Sequence, residues 1–456
     1  MTRTHVGFPV LVALAVALAA PAHAQTPLTL EAAVAAAVAN NPAVAAARAA
    51  ADGETAGVTA ARGAWFPRVT LAESAQRGNQ PVFAFGALLA ARQFTAADFA
   101  VSRLNQPEAT NLFTTRLSVG QLIFDGGRTP AAVAAAGARQ TIAEADVVMA
   151  ELDIAVAVAE TFGQMVQLQA SVDARNAAVA AAREDLQRAE RRRDAGMATD
   201  ADVLAVSVHL ADLEQQQLQL GADLASASAQ LNRLMGTPVA APLVATTPAP
   251  AAATDVPNRV TPTELEPLFA EAESARPEVR RAEASIRLAD AGVRNASSLW
   301  LPQVSAQAGL EWNGLAFGTR SHAWVVGAEA RWSLSLSGAD RARVRAATAA
   351  RTAAERAIDD VRASVRVEVL TAIHQLNAAR GQVDVGRAAV AQAAERARVV
   401  RNRYDAGLAS MTDVLAAASA ELDAQARRAA ATVAVLRADA ALQRALGRPV
   451  AKRIGQ

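Results

Sequence analysis

The chain repeats itself, and that limits it to folds built as two copies of one unit. Asn41-Pro42 and Trp65-Phe66-Pro67 recur as Arg276-Pro277 and Trp300-Leu301-Pro302, 235 residues on, and Thr26-Pro27 recurs as Thr261-Pro262 at the same offset. Later matches share an offset of 211: Asp194-Ala195-Gly196-Met197-Ala198 with Asp405-Ala406-Gly407-Leu408-Ala409, and Asp202-Val203-Leu204 with Asp413-Val414-Leu415. The offset falls because the first copy carries about 23 extra residues, placed around Gly78 to Asn111 and read as an extended loop. Five prolines (238, 242, 248, 250 and 257) mark residues 237–260 as a linker. Repeat 1 is therefore expected over 25–236, repeat 2 over 261–448, and a short tail over 449–456.

Each repeat has the order helix, strand pair, very long helix, turn, shorter helix. In the second copy Thr261-Pro262-Thr263-Glu264 forms a capping box opening a helix that runs to about Leu299. Asp125-Gly126-Gly127 breaks the first copy, Thr129-Pro130 is expected to cap the next helix, and that helix continues to about Arg193. At 1.5 Å per residue it is about 95–100 Å long. Its counterpart runs from about Asp340 to Tyr404. The shorter helices, near 199–235 and 410–446, reach only about 55 Å. End-to-end continuation by helices at 28–64 and 263–299 makes the lengths match. Composition agrees, since alanine, the best helix former, supplies about a quarter of the chain.

The same composition excludes chemistry. The single lysine, Lys452, is followed by Arg453, which rules out a P-loop and leaves little room for Schiff-base catalysis. With no cysteine there is no thiolate nucleophile, disulfide or zinc–cysteine site. A formal charge of +1 gives no nucleic-acid footprint. Beyond the leader, the histidines His209, His322 and His374 are far apart, so neither metal, cofactor nor catalytic residue is expected. The N-terminus reads as an export signal: Arg3 and His5, an apolar stretch from Val6 to Ala20, and Ala22-His23-Ala24 as cleavage site, giving a signal peptide over 1–24. It is too short, and interrupted by Gly7 and Pro9, to serve well as a membrane anchor.

The aromatics locate the membrane. Trp65, Phe66, Phe83, Phe85, Phe94, Phe99, Phe113 and Phe124 fill one window, and Trp300, Trp312, Phe317, Trp324 and Trp332 another. Within the second window Val304, Ala306, Ala308, Leu310 and Trp312 alternate with polar or small residues, as do Trp324, Val326, Ala328, Ala330, Trp332 and Leu334. Such segments with aromatic ends are the outer-membrane strand signature, rather than that of a half-buried soluble sandwich. The strand pairs are expected at about 67–124 and 302–336. Glu73 shares a face with Val69 and Leu71, so the first strand is expected to end near it. Four strands cannot close a membrane barrel, so chains must associate, giving eight strands from a dimer or twelve from a trimer.

These features, with Leu28-Thr29-Leu30-Glu31, Asn40-Asn41-Pro42, Phe124-Asp125-Gly126-Gly127-Arg128 and the repeated Asp-Ala-Gly turn, resemble the TolC family of outer-membrane channel proteins over nearly the whole mature chain. The resemblance implies a mainly α protein with membrane β structure. It implies a homotrimer: a twelve-stranded outer-membrane β-barrel continued by a twelve-helix periplasmic α-barrel, with residues 237–260 in an equatorial region. It further implies a passive exit duct in a tripartite efflux pump or type I secretion system, docked to a periplasmic adaptor and an inner-membrane pump of RND or ABC type. The tips, about 194–199 and 405–410, would carry adaptor docking through Gly196, Met197, Ala198, Thr199, Gly407, Leu408, Ala409 and Ser410. A periplasmic gate would use Tyr404 with Asp202, and Asp413 as an acidic ring. Trp65, Trp300, Trp312, Trp324 and Trp332 would mark the membrane interfaces. Two departures stand out: the family's gate arginine position is Ala409 and its second ring aspartate position is Ala416. They imply a leakier, less cation-sensitive closed state. The rival reading is a periplasmic adaptor or coiled-coil scaffold, which shares the long helical hairpin but would need neither strand pair nor repeat.

Overall fold

The computed structural model describes residues 28–246 and 262–450. The export signal, the capping box at Thr261, most of the proline linker and nearly all of the C-terminal tail lie outside the described residues. In chain order the elements are α1 (Leu30–Asn40), α2 (Pro42–Arg62), β1 (Arg68–Gly78), α3 (Pro81–Ala90), α4 (Val101–Asn105), β2 (Thr110–Phe124), α5 (Arg128–Asp194) and α6 (Asp200–Met235). The second copy gives α7 (Pro262–Ala275), α8 (Pro277–Ser297), β3 (Gln303–Ala316), β4 (Thr319–Arg331), α9 (Ala339–Asp405) and α10 (Met411–Ala445).

Both long helices, α5 and α9, have 67 residues, or about 100 Å. Each carries two shorter helices along its length: α5 packs against α6 and α2, and α9 against α10 and α8. The halves join where α5 meets α8 and α10. The buried residues obey the repeat. Val158, Phe162, Met165, Leu231 and Met235 form the first core, and Val369, Ile373, Leu376, Leu442 and Leu446, each 211 residues on, form the second. Alanines make up much of the rest, so the helices approach closely.

Four expectations need correction. The helices expected unbroken over 28–64 and 263–299 each split in two. Asn41 and Arg276 precede proline and adopt extended backbone (ψ 128° in both), because the proline ring disfavours helical geometry in the residue before it. The first split bends the axis by 45°. The start of α5 is capped not by Thr129 but by Asp125, whose carboxylate accepts the Thr129 N–H (2.7 Å) and hydroxyl (2.6 Å). Strand β1 does not end at Glu73 but runs on to Gly78. The carboxylate is matched by the Arg320 guanidinium (2.8 Å) and the Thr115 hydroxyl, so it need not leave the strand. Finally, the insertion at Gly78 to Asn111 is no plain loop, since it holds α3 and α4.

The strands form one antiparallel sheet in the order β1-β2-β3-β4, leaving β1 and β4 as edges. Its register sorts the side chains. Leu71 lies opposite Leu117, Leu117 opposite Leu310, and Leu310 opposite Trp324. Facing residues in an antiparallel pair share a face, so the apolar sets of all four strands coincide. The other face carries rows such as Ser74–Thr114–Asn313–Ser321 and the Arg116–Glu311 ion pair (2.5 Å). Among the described residues no single helix is long and apolar enough to cross a membrane.

Candidate functional site: two helical tips and an amphipathic sheet

At the far end from the sheet, each helical hairpin turns through an equivalent five-residue stretch, identical but for Met197 and Leu408. Helix α5 ends in a left-handed glycine, Gly196 (φ +72°), with Met197 N–H donating to Arg192 O at 2.7 Å and Gly196 N–H to Arg193 O at 2.8 Å. Gly407 (φ +74°) repeats this, with Leu408 N–H to Arg403 O at 2.7 Å and Gly407 N–H to Tyr404 O at 2.9 Å. This is the Schellman closure, and it satisfies carbonyls that the last helical turn leaves open. The next helix starts at once with a capping box. Asp202 N–H donates to Thr199 Oγ1 (3.2 Å), and Asp202 Oδ2 accepts from Thr199 N–H (3.0 Å) and its hydroxyl (2.8 Å). Ser410 and Asp413 make the same three bonds at 3.1, 3.0 and 2.7 Å. Ala198 and Ala409 are half-buried beneath the turn, while Met197 and Leu408 project as apolar knobs, 66% and 69% exposed.

Tyr404 sits where the two hairpins meet, beside a small cluster of Ala189, Val206, Met411 and Val414. The Arg192 guanidinium lies 4.8 Å over its ring and 3.8 Å from the Asp405 carboxylate. Burial pushes the Tyr404 hydroxyl up; Arg192 opposes this, and Asp202 and Asp405 add to it. Asp202 is thus within electrostatic range of Tyr404, but its carboxylate is engaged by Thr199. The Ser410 hydroxyl and N–H hold Asp413 below the usual carboxylate range, helped by Arg403 and Arg396, so it is charged at neutral pH. Arg192 was missed by sequence reasoning, which looked for the tip's cation only at 409. The signal was available, because Arg192 is the repeat partner of Arg403.

The five tryptophans divide between the sheet's ends. Trp65 and Trp300 close the helices that lead into β1 and β3; Trp332 follows β4, and its indole N–H donates to Trp300 O at 3.2 Å. Trp312 and Trp324 lie on the apolar face near the β3–β4 turn. From Gln303, where β3 begins, to Trp312 is about 30 Å of strand. Trp324 and Val326, on that face, are both 70% exposed.

The sequence matches the family model described as outer membrane efflux protein over residues 33–237 and 268–448, and the chain belongs to that family. Among solved structures it is similar to the outer-membrane channel OprN (22% identity, TM-score 0.75, covering 92% of this chain and 89% of that one). It is also similar to the Campylobacter jejuni CmeC outer membrane channel (17% identity, TM-score 0.79, 92% and 85% coverage) and to VceC from Vibrio cholerae (21% identity, TM-score 0.73, 92% and 96% coverage). No curated protein sequence matches. The protein is an outer-membrane efflux channel of the TolC type, with its helices extending into the periplasm.

Proposed function

We propose that three copies close their four-stranded sheets into one twelve-stranded barrel and their helices into a periplasmic tunnel. This assembly is a passive exit duct for cargo supplied by an inner-membrane pump of RND or ABC type through a periplasmic adaptor. The observation that carries the reading is the sheet: a face whose apolar residues coincide on all four strands, interrupted by the paired Glu73 and Arg320, one polar face, and two unpaired edges. In lipid every backbone donor and acceptor must be satisfied, so the free edges of β1 and β4 require another copy. The tip turns, Gly196 to Thr199 and Gly407 to Ser410, present the apolar knobs Met197 and Leu408 to the adaptor. Tyr404, Asp202 and Asp413 form the periplasmic gate. Three Asp413 carboxylates brought together would raise one another's pKa and attract cations. Alanine at 409 and 416 leaves fewer closing links, while Arg192 keeps one cation on Tyr404.

Purification from outer membrane followed by planar-bilayer recording tests this. The expected result is a heat-sensitive trimer whose conductance is blocked by cations, with block weakened in Asp413→Asn, which removes the charge and keeps an oxygen for the cap. A monomer, or block unchanged in the variant, would overturn the assembly or the gate respectively.

A further inference from the structure

On the apolar face of the sheet, charge is confined to one end. From Val304 and Ala330 at the helical end, the rows run through Val69–Val119–Ala308–Val326 to Leu71–Leu117–Leu310–Trp324, and Gln121 alone among them is polar. The next row, Glu73–Thr115–Trp312–His322, is the first with ionisable groups. Arg320 and Arg77 follow on the same alternation, one and two steps further from the helices. The opposite face spreads its charges along the strands, from Arg68, Glu329 and Arg331 to Arg116 and Glu311. The helices extend into the periplasm, so the charged end of the apolar face belongs to the outer leaflet. From Gln303 to Trp312 the strand rises about 23 Å at a tilt of about 40°, nearly the height of a barrel's apolar band. The charged row therefore stands where hydrocarbon gives way to headgroups.

Ionisable side chains turned toward a membrane are costly, and they mark a function unless they satisfy one another. These do so only in part. Arg320, its side chain 12% exposed, donates to Glu73 at 2.8 Å and to the Thr115 hydroxyl, which itself donates to Glu73. That leaves the Glu73 carboxylate fully engaged. The Arg320 guanidinium lies 4.1 Å from the centroid of the exposed Phe317 ring, and its Nε is buried without an acceptor. Arg77 and His322 are exposed and have no hydrogen bond or ion pair among the described residues. One acid thus stands against two arginines and a histidine. Aromatic rings flank them: Phe113 packs edge to face on Phe317, and Trp312 and Trp324 lie on the helical side.

The missing partner is an anion at headgroup height with apolar chains beneath it. Guanidinium groups match the geometry of phosphate oxygens, and aromatic rings favour the boundary between hydrocarbon and headgroup. The outer leaflet of an outer membrane is built of phosphorylated glycolipid and the inner leaflet of phospholipid, and the charges stand on the glycolipid side alone. We propose that Arg77, Arg320 and His322 hold the phosphate of an outer-leaflet glycolipid, whose acyl chains lie along the apolar rows below. The duct is then tied to its leaflet once for each copy around the barrel. This rests on the barrel proposed above, and the test separates the two.

Native mass spectrometry of the full-length protein, stripped of lipid in detergent, tests this with bisphosphorylated lipid A as the probe. The assembly should retain one molecule for each copy, and should hold lipid A freed of both phosphates about tenfold more weakly. Arg77→Gln with His322→Gln, which leaves the Glu73–Arg320 pair intact, should weaken retention of the phosphorylated form about tenfold. Arg331→Gln, at the periplasmic end of the opposite face, should leave it unchanged. Equal retention of the two lipids by the unaltered protein overturns the site whether or not a variant folds. Retention unchanged in a folded Arg77→Gln, His322→Gln trimer overturns it as well, and both results leave the barrel standing. Displacement of the lipid by inorganic phosphate at equal concentration overturns the glycolipid as occupant. Absence of any oligomer overturns both readings, because a sheet that does not close has no leaflet to face.

Discussion

The two copies join their short helices end to end at equivalent points, and they do it with different chemistry. In copy one Asn41 Nδ2 donates to Leu234 O at the end of α6 (2.8 Å), while its Oδ1 accepts Ala43 N–H at the start of α2 (2.8 Å). One neutral side chain thus ties off one helix and caps the next. In copy two Arg276, its side chain 1% exposed, reaches Ala445 O, the carbonyl equivalent to that of Leu234. It also binds Glu278 (2.7 Å) and Glu368 (2.8 Å), and Arg444 bridges both acids and Asp153. At the copy-one equivalents of Glu278 and Glu368 stand Ala43 and Ala157. The position therefore demands a donor for one buried carbonyl. A charged donor brings its own counter-ions, because a buried charge without partners is far costlier than a buried amide.

The largest expected effect follows from that difference. Arg276→Ala leaves a buried carbonyl without its donor and two acids with Arg444 alone, and should lower stability by about 3 kcal/mol, the low end for a broken buried pair because Arg444 remains and Glu368 is half exposed. Asn41→Ala loses a cap and one buried hydrogen bond, about 2 kcal/mol. Arg276→Asn, which writes the copy-one residue into copy two, should not rescue the junction unless Glu278→Ala and Glu368→Ala accompany it. Thermal unfolding in detergent checks the order. Equal losses from Arg276→Ala and Asn41→Ala would mean that only the shared carbonyl matters.

Acid should separate the copies next. Burial would raise the Glu278 pKa, but hydrogen bonding to Arg276, its own backbone N–H and the nearby Arg444 together hold it below the ordinary carboxylate value. A carboxylate depressed in the fold contributes stability above its unfolded pKa and loses it as pH falls through the folded one. Copy one has no titrating group at this place. Hydrogen exchange at the end of α10 should therefore quicken below the ordinary carboxylate range while the end of α6 stays unchanged, and Glu278→Gln should abolish that acid step. An acid response of equal size at both ends would show that the ion cluster is not its source.

Most of this architecture was legible because the repeat is written in residues with strong local consequences. Gly196, Gly236, Gly407 and Gly447 all take positive φ at helix ends. A Cβ on Gly236 would stand 2.7 Å from Asn40 O, and one on Gly447 2.9 Å from Ala275 Cβ, so these glycines mark close junctions as well as turns. Thr199 and Ser410 announced the capping boxes, and the alternation around Trp312 and Trp324 announced the sheet's faces. What stayed hidden depended on partners distant in sequence. Glu73 looked like a strand's end because Arg320, 247 residues away, was out of view. Arg276 looked like the mere partner of Asn41 in a motif, because Glu368 on α9 and the Ala445 carbonyl on α10 lie far along the chain. Helix α3 was hidden in an insertion with no repeat to compare, where Pro81 and a run of alanine, leucine and phenylalanine were the available helical signs.

The smallest contrast concerns the surface. Where α2 lies on α5, Arg48 meets Glu151 at 2.6 Å; at the equivalent place on α8 and α9, Glu283 meets Arg362 at 3.8 Å, with the signs exchanged. Exposed pairs of this kind contribute about 0–1 kcal/mol, so Arg48→Glu should cost less than about 1 kcal/mol and Glu283→Arg still less. The double variant Arg48→Glu with Glu151→Arg, which gives copy one the polarity of copy two, should recover the first loss. Double-mutant cycles at low and high salt read the coupling directly, and salt should shrink it in copy one. A coupling in copy two as large as in copy one would show that the shorter contact adds nothing. Recovery in the double variant would show that the polarity of the pair is free to drift. The apolar residues further along α5 and α9, Val158 and Phe162 against Val369 and Ile373, keep equivalent buried places in the two copies whichever sign the surface pair takes.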